Sequence, residues 1–195
     1  MFAPFTDCSQ SDIDRLVRDY PLAWLVTRNF NSAPLPLIAE HAEDGTIASL
    51  FGHCGRRNLI VADLRDDPLA LILFNGPSGY ISNRHVSEPN WGPTWNYAAV
   101  RFVAEVEFVE AETASSVDRL LDHLEGSDKP HWTPDQLGDR YENMLSQIIA
   151  FRAHVREVRP TFKLGQDERP DVLAEIVAKH ENRDLTSWMK ERARP

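Results

Sequence analysis

Between Leu22 and Phe108 no periodicity lasts long: short runs that read as β-strands follow one another, each cut off by turn chemistry. Leu22 to Arg28 ends at Asn29-Phe30-Asn31-Ser32. Ala33 to His41 carries Pro34 and Pro36, which a strand tolerates at an edge or barrel rim, and ends at Glu43-Asp44-Gly45. These segments predict a meander with the strand after them. That strand is Thr46 to His53; Gly55 breaks it, and Arg57 to Asp66 shifts to helical spacing through Leu59, Ile60, Ala62 and Leu64. Leu69 to Asn75 predicts a central strand buried on both faces, which Gly76-Pro77-Ser78-Gly79 turns toward Tyr80 to Ser82. Asn83 to Thr94, rich in Pro, Gly, Asn and His, predicts a long exposed loop. Trp95 to Glu110 returns to strand, with Val100, Phe102, Ala104, Val106 and Phe108 on one face. Such a succession closes into a barrel or packs as a sandwich.

Helices frame and interrupt this series. Ser9-Gln10-Ser11-Asp12 has the form of a capping box ahead of Ile13, Leu16, Val17 and Tyr20, and Pro21 ends the segment. Glu112 to Glu125 puts Val117, Leu120, Leu121 and Leu124 on one stripe, and Thr133-Pro134-Asp135 predicts a second helix start. Phe151, Ala153 and Val155 then alternate with Arg152, His154 and Arg156 as a last barrel strand before Pro160. Pro170 to His180 and Leu185 to Arg194 predict two terminal helices. The expected organisation is a mainly β, α+β domain over residues 1–166 and a helical extension over 167–195.

With 195 residues, 42% of them hydrophobic, the chain has material for one sizeable core. The longest apolar run, Leu69 to Phe74, is far short of the roughly 20 residues a membrane helix needs, so no span is expected. Two cysteines without C-x-x-C spacing and no visible signal or transit peptide fit a reducing cytoplasm. A net charge of −9 repels phosphate backbones, so direct nucleic-acid binding is not expected, and no helix-turn-helix with a basic recognition helix is visible. Clustered arginines can still hold one small anion.

Such a cluster occurs where Leu50-Phe51-Gly52-His53-Cys54-Gly55 runs into Arg56-Arg57-Asn58-Leu59. A helix start offers free N–H groups, and guanidinium forks pair with phosphate oxygens. Solvated arginines at a helix start would look the same, and Trp95 or Tyr97 could equally be core packing. Other chemistries find less. The seven histidines include no helical i, i+4 pair of zincin type, His53 and Cys54 face opposite sides of a strand, and no metal site is expected. Neither G-x-S-x-G nor a P-loop is present, and Ser82 or Cys54 would lack a visible base.

In order, the chain reads Gly52-His53, then Arg56, Arg57 and Asn58, then Phe74-Asn75-Gly76-Pro77-Ser78-Gly79-Tyr80-Ile81-Ser82, then Pro93-Thr94-Trp95-Asn96-Tyr97, then Phe162-Lys163-Leu164-Gly165-Gln166. This series resembles the PaiB-like proteins, FMN-binding negative transcriptional regulators, over roughly Phe2 to Gln166. The resemblance implies a split β-barrel of the pyridoxamine-phosphate-oxidase-like kind, a homodimer, and FMN near the subunit boundary. It implies His53, Arg56, Arg57 and Asn58 for the phosphate and ribityl side, and Tyr80, Ser82, Trp95 and Asn96 nearer the ring or the dimer seam. Trp91 and Arg101 are the expected substrate-pocket residues. The chain departs from the pattern at Ala33-Pro34-Leu35-Pro36, where family members carry Thr-His-x-Pro, and at Arg101, where a His is common; there a salt bridge ranks ahead of an anionic substrate. Three readings are open: a flavin-dependent oxidoreductase of a small molecule, a flavin-sensing regulator without turnover, and a haem-binding or haem-degrading barrel.

Overall fold

The computed structural model describes residues 5–126 and 132–192, with only the backbone at Asp135; His131 and the last residues of the final predicted helix lie outside this range. The helices are α1 (Gln10–Asp19), α2 (Leu59–Asp66), α3 (Thr113–Glu125), α4 (Arg140–Leu145), α5 (Pro170–Lys179) and α6 (Arg183–Arg192). The strands are β1 (Leu22–Thr27), β2 (Ser32–Pro36), β3 (Ile38–His41), β4 (Ile47–Gly55), β5 (Leu69–Ile81), β6 (Thr94–Phe108) and β7 (Ile148–Lys163). They form a seven-stranded sheet in the order β2-β1-β5-β6-β7-β4-β3, antiparallel at every pairing whose register is defined. No helix among the described residues is long and apolar enough to cross a membrane.

The chain divides into two compact units, Met1–Leu16 with Asn75–Val100 and Arg159–Pro195, and Val17–Phe74 with Arg101–Val158. In the second unit, β1 and β2 form the expected hairpin. Asp63 of α2 holds its turn, accepting hydrogen bonds from Thr27 Oγ1 (2.6 Å), Asn29 Nδ2 (2.9 Å) and Asn31 Nδ2 (2.8 Å). The run Ala33 to His41 is two strands, not one. Leu37 breaks off to donate its N–H to Pro21 O, so β2 and β3 become the two edges of the sheet, where Pro34 and Pro36 forfeit no ladder bond. At Gly52 a Cβ would stand 2.6 Å from Leu37 Cδ2 and 2.8 Å from Pro36 O, so β4 can pass this crossing only as glycine.

An ionic clip ties β3, β7 and α3 together within this unit. Arg152 Nε donates to Glu40 Oε2 at 2.7 Å and Arg119 Nη1 to Glu40 Oε1 at 2.7 Å, while Glu112 takes a second bond from Arg152 at 2.9 Å. Burial pushes the Glu40 carboxyl up, but the bonds from Arg152, Ser49 and Arg119 outweigh it and hold the pKa at about 2. Both guanidiniums lie over the buried Phe51 ring, at 4.4 and 5.0 Å. The inward face of α3 is Thr113, Ser116 and Leu120 rather than the leucine stripe: Val117 is half-buried and Leu124 exposed, because the helix settles on a polar partner of β4.

In the first unit, the capping box of α1 is present, Asp12 N–H donating to Ser9 Oγ at 3.1 Å and Ser9 N–H to Asp12 Oδ2 at 2.9 Å. The expected turn at Gly76-Pro77-Ser78-Gly79 is absent, since β5 runs straight through it. These glycines serve close approach. A Cβ at Gly76 would meet Leu16 Cδ1 at 3.1 Å and Ala98 O at 3.3 Å; one at Gly79 would meet Leu185 Cδ2 at 2.9 Å. Nor is the earlier part of β5 buried on both faces: Ala70, Ile72 and Phe74 point inward and Leu69, Leu71 and Leu73 are half-buried. Likewise β7 continues through Pro160, and Phe162 donates its N–H to Phe5 O at 2.7 Å. The predicted long loop contains a 3-10 turn at Asn83–His85 whose His85 is buried.

Candidate functional site

The strand-turn-helix from His53 to Leu59 forms as expected. Asn58 caps α2, its Oδ1 accepting from Ile60 N–H at 3.2 Å, which leaves the amide Nδ2 without a partner among the described residues. The two arginines separate in role. Arg56 is half-buried with Nη1 3.2 Å from Glu110 Oε1, whereas Arg57 is exposed and has no ion-pair partner among the described residues. Nothing crowds the turn between strand and helix, where a Cβ on Gly55 would meet no atom within 4 Å.

His53 turns toward α3. Its Nδ1 lies 3.1 Å from Ser116 Oγ, and that hydroxyl donates to Thr113 O at 2.7 Å. The ring is therefore assigned its proton on Nδ1, leaving Nε2 as an acceptor. Burial lowers the His53 pKa, so the ring is neutral near pH 7. The adjacent Cys54 thiol is buried and pushed up to about 11 by that burial, far from a ready nucleophile.

The remaining candidates, Arg101 apart, belong to the other unit. Tyr80 and Trp95, on β5 and β6, set their rings 6.1 Å apart at a 45° tilt, and both are about half exposed (50% and 53%). Two large aromatics left in solvent side by side form a surface suited to a planar apolar ligand. Ser82 is buried and caps the 3-10 turn, accepting from Arg84 N–H at 3.3 Å. Asn96 is buried, its Nδ2 3.8 Å from Met189 Sδ and its Oδ1 without a partner among the described residues. The Trp91 indole N–H donates to Glu168 Oε2 at 3.0 Å. Arg101, in the same unit as Arg57, is exposed with no ion-pair partner among the described residues.

Sequence reasoning missed Glu110, Ser116 and Glu168, each of which engages a named candidate. No local signal marks them, because each acts from a distant part of the chain. It also missed the buried pair His85 and His180, ring centroids 4.8 Å apart.

The donors left at the junction fit a phosphate monoester: an arginine without a counter-charge among the described residues and the spare Asn58 amide, the helix-start N–H groups of Ile60 and Val61 being taken by Asn58. A seven-stranded sheet with six α-helices among the described residues carries this junction, an α+β arrangement. The family described as "Putative FMN-binding domain" matches residues 1–157, and the chain belongs to it; FMN is its cofactor. Among curated protein sequences none matches. Similar solved structures include the flavocytochrome Anf3 of Azotobacter vinelandii (13% identity, 85% of this chain and 73% of that one, TM-score 0.58). A second is the FAD and heme binding protein of Mycobacterium smegmatis (14%, 89% and 79%, 0.57). A third is a conserved hypothetical protein of Mycobacterium tuberculosis (14%, 81% and 87%, 0.55). At these identities the likeness is one of fold.

Proposed function

We propose that this protein is a PaiB-like, cytoplasmic homodimer that acts as an FMN-dependent oxidoreductase on a small molecule. Residues 1–166 form its flavin domain and 167–195 its helical extension. The observation that carries the flavin assignment is Arg57, an uncompensated guanidinium at the capped start of α2 in a chain of net charge −9. Arg57 and the Asn58 amide would hold the phosphate, and His53 Nε2 is available as an acceptor toward the ribityl hydroxyls. Within the other unit, the half-exposed Tyr80 and Trp95 rings are an aromatic surface that supports binding of a planar ligand. When bound, FMN supplies two-electron redox chemistry. This chain adds binding and electrostatics, since the Cys54 thiol stays protonated near neutrality.

A second copy has a surface to use. On the outer face of β1, Leu22 (61% exposed) and Trp24 stand free, and Trp24 is flanked across the ladders by Pro34 and Leu73. This exposed apolar pair supports the homodimer reading.

The test is an absorption spectrum of the purified protein, followed by denaturation and ligand extraction. Flavin bands and released FMN, with reduced nicotinamide consumed only when FMN is bound, support the proposal. FMN bound without any turnover would make the protein a flavin sensor, a Soret band would make it a haem protein, and a colourless protein that rejects added FMN would remove the site.

A further inference from the structure

We propose that the groove between α5 and α6 binds a small amphipathic anion, an apolar chain or ring carrying one carboxylate, independently of FMN. Both helices lie beyond the residues 1–157 matched by the family, and both belong to the same unit. The cavity between them measures about 810 Å³, within the roughly 300–1,000 Å³ of small-molecule sites.

Its shape follows from how α5 is sided. Val172, Leu173 and Ile176 are buried, while Ala174, Val177 and Ala178 line the groove. Ala174 and Ala178 stand one turn apart, and their short side chains leave the space open. The floor is Gly165, at φ +87°, where a Cβ would lie 2.9 Å from Leu173 Cδ1. No other residue fits there without shifting the floor.

The rim is cationic. Arg183 and Lys190 lie seven residues apart on α6, two turns along one face, and both are exposed with no ion-pair partner among the described residues. Of the other charges at the cavity, Arg192 is paired, its Nη1 3.2 Å from Asp12 Oδ2, whereas Glu168 accepts from the neutral Trp91 indole at 3.0 Å and keeps its negative charge. What the groove offers a ligand is therefore apolar wall and, from Arg183 and Lys190 against the single Glu168 carboxylate, a net positive charge. Those properties complement an anion with an apolar body and disfavour a neutral or cationic one.

The experiment titrates the FMN-saturated full chain with 8-anilinonaphthalene-1-sulfonate, a fluorescent apolar anion, and displaces it with decanoate or decanol. Expected are one saturable site per chain and displacement by decanoate at concentrations roughly tenfold or more below those of decanol. Ala178→Phe, at an exposed position, should abolish dye binding. The double variant Arg183→Ala/Lys190→Ala should weaken it roughly tenfold or more while the urea midpoint holds. Dye binding unchanged in both variants overturns the proposal. So does displacement of the dye by further FMN, or a loss of dye binding in Ala178→Phe that coincides with a change in molar mass, which would make the groove a contact between copies.

Discussion

The Arg56 guanidinium lies 3.2 Å from a Glu110 carboxylate oxygen, so of two adjacent arginines at the start of α2 Arg57 alone has no counter-charge among the described residues. The pair is therefore not equivalent toward FMN. Arg57→Ala should raise the FMN dissociation constant roughly ten- to hundredfold, since a charged hydrogen bond is worth about 1.5–3 kcal/mol. Arg56→Ala should change it several-fold less, its charge being already committed. Flavin fluorescence titration of the two single variants decides, and equal losses would reject the distinction.

Gly52 controls closure of the barrel edge rather than chemistry. A methyl at this position meets Leu37 Cδ2 at 2.6 Å and the Pro36 carbonyl oxygen at 2.8 Å, and the second contact is backbone that cannot rotate away. Gly52→Ala should destabilise the protein by about 1–3 kcal/mol, the usual range for overpacking. Chemical denaturation measures it, and an unchanged midpoint would mean that β4 and the segment at Leu37 separate easily.

Much of this arrangement is local and therefore readable from residues. The Ser9–Asp12 capping box, the alternation of Val100, Phe102 and Ala104, and the edge-seeking prolines Pro34 and Pro36 each declare their state within a few positions. The misreadings share a cause. Gly76 and Gly79 have turn composition, yet their role is to admit Leu16, Ala98 and Leu185 from elsewhere in the chain. In α3 only Leu120 of the leucines faces inward, beside Thr113 and Ser116, because Ser116 meets His53. The strand-to-helix junction was legible as a turn into a helix start, but which of its arginines is paired depends on Glu110, which local pattern cannot supply.

The buried imidazole of His85, packed near His180, makes stability depend on pH. His85 Nδ1 accepts from Ser82 N–H at 3.2 Å, and His180 Nδ1 from Asn182 N–H at 3.0 Å while its Nε2 faces Tyr80 O at 3.2 Å. Protonating His85 would therefore forfeit its backbone bond. Burial first, then the neighbouring charge on His180 and those of Arg84 and Lys179, lower the His85 pKa; the exposed Glu181, 3.8 Å from its Nε2, opposes them only partly. A depressed folded-state pKa means that the unfolded chain binds the proton first. The contribution is full above the ordinary histidine value of about 6.5 and is lost as pH falls below it toward the folded value. Urea midpoints at about pH 7.5 and 5.5 should drop less in His85→Asn than in the wild type. His53, also lowered by burial, leaves a residual slope in the variant. Identical drops in both proteins would remove His85 from the account.

Trp24 tests the proposed subunit seam. It is 47% exposed on β1 and lies between Pro34 of β2 and Leu73 of β5, so a carboxylate there would face apolar neighbours whenever a second copy covers the strand. Trp24→Glu should raise the dimer dissociation constant roughly thirtyfold or more, the loss typical of a central aromatic anchor of at least about 2 kcal/mol. Because the side chain projects outward, the fold of each copy should survive with little change in its thermal midpoint. Light scattering over a dilution series reads the outcome directly. A variant that stays dimeric at the wild-type dilution would place the seam on another face, and a wild type that is monomeric throughout would remove the homodimer itself.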